Sequence, residues 1–239
     1  MLFRSKCLAE IRRIDPAVDG YLVHSRAYGE LIGRFLGVPQ EKLHVTPLGI
    51  DTADFQELPP RPAPDGTFRI GYFARLAKEK GLHRLVDAFL ALRQLPGTER
   101  TRLELAGWLS PEAKDFVDAQ FARLRAAGLG TDFEYHGVLD RAGKLDFLRR
   151  IDLLSVPTEQ EEPKGLFVLE ALAAGTPVVQ PAIGAFPEML EDSGGAILVP
   201  PGDARQLAGA WWELLQDRER LRRMGAAGRE YVQIGRAHV

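Results

Sequence analysis

The run Leu166-Phe-Val-Leu-Glu-Ala-Leu-Ala-Ala174 is apolar except at Glu170, opens after Gly165, closes at Gly175 and passes straight into Thr-Pro-Val-Val179. A helix this apolar on all sides belongs in an interior, and one that stops at glycine and continues as a β-branched run is a buried helix feeding a strand. Glu170 falls on its second turn. A carboxylate there needs a partner, because an unpaired buried charge costs several kcal/mol. A second carboxylate, Glu162, stands in the loop before the helix, so the two acids bracket Gly165.

That geometry suits an anionic ligand. Gly165 lets a ligand approach the backbone, and the N–H groups of Leu166 and Phe167 would point outward with the helix dipole behind them. Glu170 lies roughly 7 Å further along at about 1.5 Å per residue, comparable with the span from a nucleotide's phosphate to its ribose hydroxyls. Glu162 would face the other end of a diphosphate-linked ligand. The plainer alternatives are a salt bridge to a neighbouring helix for Glu170 and a solvated loop position for Glu162.

From Thr67 onward, strand-like and helix-like segments alternate, which predicts an α/β fold with a doubly wound, Rossmann-like, six-stranded parallel sheet. Strands are expected over 68–73, 103–106, 133–136, 153–156, 177–180 and 196–199. Leu82, Leu85, Val86, Phe89 and Leu90 recur at helical spacing and predict a helix over 82–92. Asp203 should open another helix, and Gly225 to Gly228 should interrupt the last one. Before Thr67, Asp19 to His24 reads as a short strand, Ser25 as an N-cap, and Tyr28, Leu31, Ile32 and Phe35 as one side of a helix closed by Gly37. The proline-rich Pro59 to Pro64 reads as a linker. The chain thus divides into 1–55, a linker over 56–66, a main domain over 67–232 and a tail over 233–239. That tail, Gln233-Ile-Gly-Arg-Ala-His-Val239, resembles a translated sequencing adapter, the plainer alternative being a frayed helix end, and on either reading it is assigned no function.

Composition excludes several classes. With 45% hydrophobic and 27% charged residues the chain can bury a core, and a net charge of -2 over 239 residues gives no general attraction to nucleic acid. One cysteine, Cys7, rules out an internal disulfide framework. Charges throughout residues 4–13 interrupt any export signal, and no apolar stretch approaches a membrane span. The expected location is the cytoplasm, with peripheral contact with a membrane-borne acceptor left open. No His/Cys/Asp cluster stands at metal-ligand spacing, so neither a metal nor a cofactor is expected.

In the strand order 3-2-1-4-5-6, ligands bind outside the carboxyl ends of the first and fourth strands, where the winding reverses. The loop after the first strand carries Arg75 and Lys80, and the loop after the fourth carries Glu162 to Gly165. Arg75 offers a planar fork for phosphate oxygens and Lys80 a compact charge. Lys78 reads as a solvated neighbour.

Glu162 to Glu170 with its trailing Ala-Leu-Ala-Ala-Gly-Thr-Pro-Val-Val resembles the E-x7-E signature of the family-four retaining glycosyltransferases, which have the GT-B fold. Gly71-Tyr-Phe-Ala-Arg75-Leu-Ala-Lys-Glu-Lys80-Gly81 resembles that family's G-R-L-x-x-x-K-G loop, with Ala74 in place of the usual glycine. Gly184-Ala-Phe-Pro-Glu188 and Gly194 to Asp203 resemble its next two blocks. The resemblance covers nearly the whole chain. It implies a hexosyltransferase that takes a nucleotide-diphosphate sugar as donor and retains anomeric configuration. It also implies that 1–55 is the remnant of an N-terminal, acceptor-side domain, and that this chain alone is inactive.

By the same resemblance, Arg75 and Lys80 would bind the diphosphate and stabilise the leaving nucleotide, helped by Leu166 and Phe167. Glu162 would hold the donor sugar, Glu170 the ribose, and Gly137, Val138 and Leu139 would line the base pocket. Pro163-Lys164 departs from the small and aromatic residues usual before Gly165; it sets an ammonium beside the sugar and raises a negatively charged donor sugar as an expectation. The base, sugar and acceptor are not fixed by the sequence. Two other readings stand beside transfer: a nucleotide-sugar binding module without turnover, and a GT-B-fold sugar-nucleotide epimerase. The epimerase is disfavoured because Glu162 has no acid/base companion.

Three features invite other readings. Gly137 to Leu145 lacks the spacing and the Ser/Thr of a P-loop and reads as a helix cap. Trp211-Trp212 reads as core or domain contact. His24, His44, His83 and His136 read as packed or surface histidines.

Overall fold

The computed structural model of this protein describes residues 2–59, 61 and 65–233, with side chains from Lys6 onward. Pro60, Pro62, Ala63 and Pro64 of the expected linker, and residues 234–239 of the expected tail, lie outside the described residues.

The chain begins with α1 (Leu2–Ile14), β1 (Tyr21–Val23), α2 (Arg26–Leu36), β2 (Leu43–Val45) and α3 (Ala53–Gln56). Strands β1 and β2 pair in parallel, with Tyr21 opposite Leu43 and Val23 opposite Val45. Helix α2 starts where the sequence asks: the Ser25 hydroxyl accepts the Tyr28 N–H at 3.1 Å, and Gly37 closes the helix with a φ of 75°. Its buried positions are Gly29 and Gly33, whereas Phe35 of the expected apolar side is exposed. The small strands press so close that a Cβ at Gly33 would stand 2.8 Å from Leu43 Cδ1, so the glycine face makes the contact.

The larger part follows the winding expected from the alternation. Strands β3 (Phe68–Phe73), β4 (Thr101–Ala106), β5 (Phe133–Tyr135), β6 (Leu153–Leu154), β7 (Val178–Pro181) and β8 (Ala196–Val199) form one sheet in the order β5-β4-β3-β6-β7-β8. All pairings are parallel. Between them run α4 (Leu82–Leu92), α5 (Lys114–Ala126), α6 (Arg141–Arg150), α7 (Leu166–Ala173) and α8 (Phe186–Leu190), and α9 (Ala204–Gln216) and α10 (Arg218–Gln233) close the chain. Asp140 caps α6 by accepting the Gly143 N–H at 2.8 Å, which is the role expected of that stretch in place of a P-loop. Asp203 caps α9 through the amides of Arg205 and Gln206.

Helices cover both faces, as a parallel sheet requires. On one face α4, α5 and α9 seat Leu85, Phe89, Phe121 and Trp211 against Phe68, Ile70 and Tyr72. On the other, α6, α7, α8 and α10 gather Phe147, Leu169, Phe186 and Tyr231, joined by Phe55 of α3. Full burial of each large side chain contributes about 1.5–3 kcal/mol. Trp211 is fully buried, and Trp212 donates its indole N–H to the Pro96 carbonyl at 3.1 Å.

One expectation fails in this region. Helix α10 runs uninterrupted through Gly225 and Gly228. These glycines are contact points: a Cβ at Gly225 would strike the Gly175 carbonyl, and one at Gly228 would lie 2.6 Å from Leu172 Cδ2. The backbone entropy cost of glycine within a helix, about 1 kcal/mol each, is outweighed by the close seating of α10 on α7.

Besides the packing of Phe55, several polar contacts tie residues 26–61 to the sheet domain, among them the ion pair of Arg141 with Asp54. Glu188 of α8 accepts the Arg26 N–H at the start of α2, at 2.9 and 3.1 Å. Arg61 reaches the carbonyls of Ile151 (2.9 Å) and Gly175 (3.0 Å) and the Thr176 hydroxyl. Burial pushes its guanidinium below the usual arginine range. Arg229 of α10 donates to the Phe55 carbonyl at 2.9 Å.

Candidate active site at the carboxyl edge of the sheet

The winding reverses between β3 and β6, and the loops leaving these two strands meet there. They are locked at the backbone. Gly81, with a φ of 73°, is pressed against the Pro157 carbonyl so closely that any Cβ would overlap it. The Glu159 N–H donates to the Glu79 carbonyl at 3.2 Å, and the Thr158 hydroxyl to the same carbonyl at 2.9 Å.

At the centre of this junction Lys80 Nζ stands 2.6 Å from Glu162 Oε2. The other carboxylate oxygen of Glu162 accepts the N–H groups of Lys164 and Gly165, each at 3.3 Å. Glu162 is 7% exposed, so it is no solvated loop residue. It lies folded back over the entrance of α7. Its own carbonyl accepts the Ala185 N–H at 2.9 Å, which fixes the loop against the turn before α8.

Gly165 opens α7 with a φ of 57°. Its Cβ space is also closed, by Phe186 and Met189 at 3.1 and 3.2 Å, so packing against α8 demands glycine as much as any ligand would. The first N–H groups of α7, those of Leu166 and Phe167, have no partner within the helix. Lys164 is exposed beside them.

Glu170 looks elsewhere. Its Oε1 lies 2.6 Å from Lys144 Nζ of α6, the salt bridge to a neighbouring helix that sequence left open as the plainer reading. The pair borders a cavity of about 130 Å³ lined by Ile50, Asp51, Phe55 and Arg141. Lys144 and Arg141 were missed from sequence because the stretch carrying them was read only as a helix cap.

Arg75 does not join Lys80. Its guanidinium is 55% exposed and pairs with Glu79 at 3.2 Å, at the mouth of a cavity of about 310 Å³ that also holds Lys78, Trp108 and Phe116. Ala74, before it, needs no glycine, since no described residue other than glycine has positive φ. Gly137 and Leu139 are half-buried and Val138 is 69% exposed at the exit of β5, and the Gly137 carbonyl already accepts the Gly107 N–H at 2.8 Å. The expected residues therefore form four groups: Lys80 with Glu162, Lys164, Gly165 and the start of α7 at Leu166 and Phe167; Glu170 with Lys144; Arg75 with Glu79; and Gly137 to Leu139 at the exit of β5.

One grouping was invisible to spacing. Strand register sets Glu104 directly opposite Glu134, and with His136 they put three potential ligand atoms within 4.8 Å of one another. The expectation concerned His, Cys and Asp at metal-ligand spacing along the sequence, and this Glu–Glu–His grouping, made by strand register, lies outside it. His136 Nε2 lies 2.6 Å from Glu104 Oε2 and Arg69 Nε lies 3.9 Å from Glu104 Oε1, so an imidazole and a guanidinium from the chain already face this carboxylate. Among the other histidines, His83 packs on Phe116 and faces Glu159 at 3.3 Å.

The family model described as glycosyl transferases group 1 matches residues 54–231. A phosphatidyl-myo-inositol mannosyltransferase of Mycobacterium leprae is 38% identical over 115 residues, covering 48% of this chain and 31% of that protein. A glycogen synthase of Mycobacterium tuberculosis is 31% identical over 219 residues, covering 89% and 49%. The chain spans half or less of the length of these curated relatives. Among solved structures, Anabaena Alr3699/HepE in complex with UDP and glucose superposes with a TM-score of 0.78 at 22% identity, over 90% of this chain and 59% of that one. The C-terminal domain of the group 1 protein LpcC from Francisella tularensis gives 0.67 at 24%, over 79% and 98%. These two likenesses carry the fold, a GT-B-type Rossmann-like domain.

Proposed function

The chain belongs to the group 1 glycosyl transferases, and from that premise we propose that it is the donor-binding part of a hexosyltransferase using a nucleotide-diphosphate sugar. The observation that carries the proposal is the 2.6 Å contact between Lys80 and Glu162, which brings a cation and a buried acid together at the switch point. A donor arriving there offers each a better partner. The diphosphate draws Lys80 and the Arg75 guanidinium and meets the free N–H groups of Leu166 and Phe167; Glu162, released from Lys80, accepts the sugar's hydroxyls. Glu170, at present on Lys144, takes the ribose hydroxyls, and Gly137 to Leu139 flank the base.

As the bond between the anomeric carbon and the diphosphate oxygen breaks, negative charge grows on that oxygen. Fixed cations and backbone dipoles stabilise it, and no metal is needed for that task. The acceptor oxygen forms the new bond to the anomeric carbon, and its proton passes to the departing diphosphate. Retention of configuration rests on the resemblance of the E-x7-E stretch to the retaining family. Lys164 beside the sugar supports a donor bearing a negative group, and Lys164→Ala should then lose preference for such a donor. The acceptor is unassigned: relatives are named for glycogen, inositol phosphate and phosphatidylinositol. No described helix is long and apolar enough to cross a membrane.

Calorimetric titration with UDP-, GDP- and ADP-sugars tests the reading. UDP-sugars come first, because the Anabaena neighbour was crystallised with UDP-glucose. One-to-one binding of a single nucleotide sugar supports a donor site in this chain. A folded chain that binds none of the three refutes it.

A further inference from the structure

Two buried hydroxyls outside the expected site hold its phosphate-facing loop in shape. Tyr72 is fully buried in β3, and its hydroxyl lies 2.7 Å from the Arg75 carbonyl and 3.4 Å from that of Lys80. The single hydrogen goes to the nearer oxygen, and the second carbonyl closes the same polar nook. Burial pushes this phenol far up, so it stays a neutral donor at ordinary pH. From the other side of the crevice Thr158, 1% exposed, donates to the Glu79 carbonyl at 2.9 Å and accepts the Gln160 N–H at 3.3 Å. Two carbonyls of one loop, those of Arg75 and Glu79, are thus held by hydroxyls from the two sides of the crevice, with the Lys80 carbonyl beside the first.

We propose that Tyr72 and Thr158 are positioning residues for the nucleotide diphosphate, acting through the carbonyls of Arg75 and Glu79 to fix the loop backbone from which both cations reach the ligand. The inference rests on the reading of this crevice as the donor site. Neither hydroxyl touches the ligand; each removes a conformational cost that binding would otherwise carry. Tyr72 ties the loop to the core beneath it. Thr158 ties it to the segment that leads to Glu162, so the two walls of the crevice keep one spacing.

The test uses the whole chain and UDP, GDP and ADP as probes. Tyr72→Phe keeps the ring and removes the hydrogen bond to the Arg75 carbonyl; Thr158→Val keeps the volume and removes both the bond to the Glu79 carbonyl and the one from the Gln160 N–H. Each should weaken the best-bound nucleotide about fivefold and speed amide exchange over residues 75–81. Thr158→Ser should restore both. Trp211→Phe, a core change in α9, serves as control: it should lower the melting temperature and leave the nucleotide dissociation constant alone. Wild-type affinity in Tyr72→Phe and Thr158→Val, or an equal loss in Trp211→Phe, overturns the positioning role. If wild type binds none of the three probes while loop exchange still responds to the variants, it is the donor-site reading that has failed, and the positioning role falls with it.

Discussion

Glu162 and Glu170 each meet a lysine ammonium at 2.6 Å, yet the two pairs are built differently. Glu162 is a loop residue with three further constraints: two amides on its second oxygen and the Ala185 N–H on its carbonyl. Its side chain is 8% exposed. That of Glu170 is 19% exposed, projects from the flank of a helix and is hydrogen-bonded to Lys144. A carboxylate held from several sides keeps its place when one partner leaves; one held by a single flexible lysine follows it. The first therefore suits a group that must meet a reacting sugar in fixed geometry, and the second suits one that adjusts to a ribose.

The contrast can be broken most severely at Gly81. A valine there overlaps the Pro157 carbonyl, so Gly81→Val should part Lys80 from Glu162 while leaving Lys144 with Glu170. We expect a loss of about 3 kcal/mol or more in stability by chemical denaturation, with nucleotide binding abolished. Next in size is Glu162→Ala. It should cut the advantage of a sugar nucleotide over the free nucleotide about tenfold, while the free nucleotide binds as well or better because Lys80 is released. Glu170→Ala should weaken sugar nucleotide and free nucleotide alike, about fivefold, and identical losses in these two glutamate variants would erase the distinction. Double-mutant cycles in the ligand-free chain sharpen it: coupling of about 1–2 kcal/mol for Lys80 with Glu162, and about 0.5 kcal/mol for Lys144 with Glu170.

The smallest effect lies away from the crevice. The Arg69 guanidinium holds the Asp65 carboxyl below the usual carboxylate range. A lowered acid contributes stability that is present above its unfolded pKa, near 4, and is lost as pH falls through its lowered value. Because Asp65 is half-exposed, Asp65→Asn should flatten the acid limb of a stability profile only slightly and leave both lysine pairs untouched.

Most of the fold was legible because the central strands of a parallel sheet are apolar runs and the helices between them are amphipathic. The strand at 68–73 and the helix at 82–92 follow from that pattern, and the strand order is the one common to doubly wound sheets. The misreading of Gly225 and Gly228 has a physical cause: locally glycine breaks helices, and only the partner surface of α7 shows why it is wanted here. The site divides in the same way. Lys80 and Glu162 were legible because topology alone brings their loops together. The Lys144–Glu170 pair and the Glu104–Glu134–His136 grouping depend on helix placement and strand register, which spacing does not encode. Arg75 was placed on the right loop, but its direction is set by Glu79, four residues on.

The glycines under α10 act as a gauge for a single setting. A Cβ at Gly195 would stand 2.6 Å from Gly228 Cα, and one at Gly194 would stand 3.0 Å from Ala227 Cβ, so a slip of one residue would bring an alanine methyl to a place cut for hydrogen. The helix can be shelved in one register alone. Its Arg229 then arrives at the Phe55 carbonyl, and Phe55 is part of the wall around Glu170. The last helix of the domain thereby calibrates, from the far side of α7, the roof over the acid expected to read the ribose.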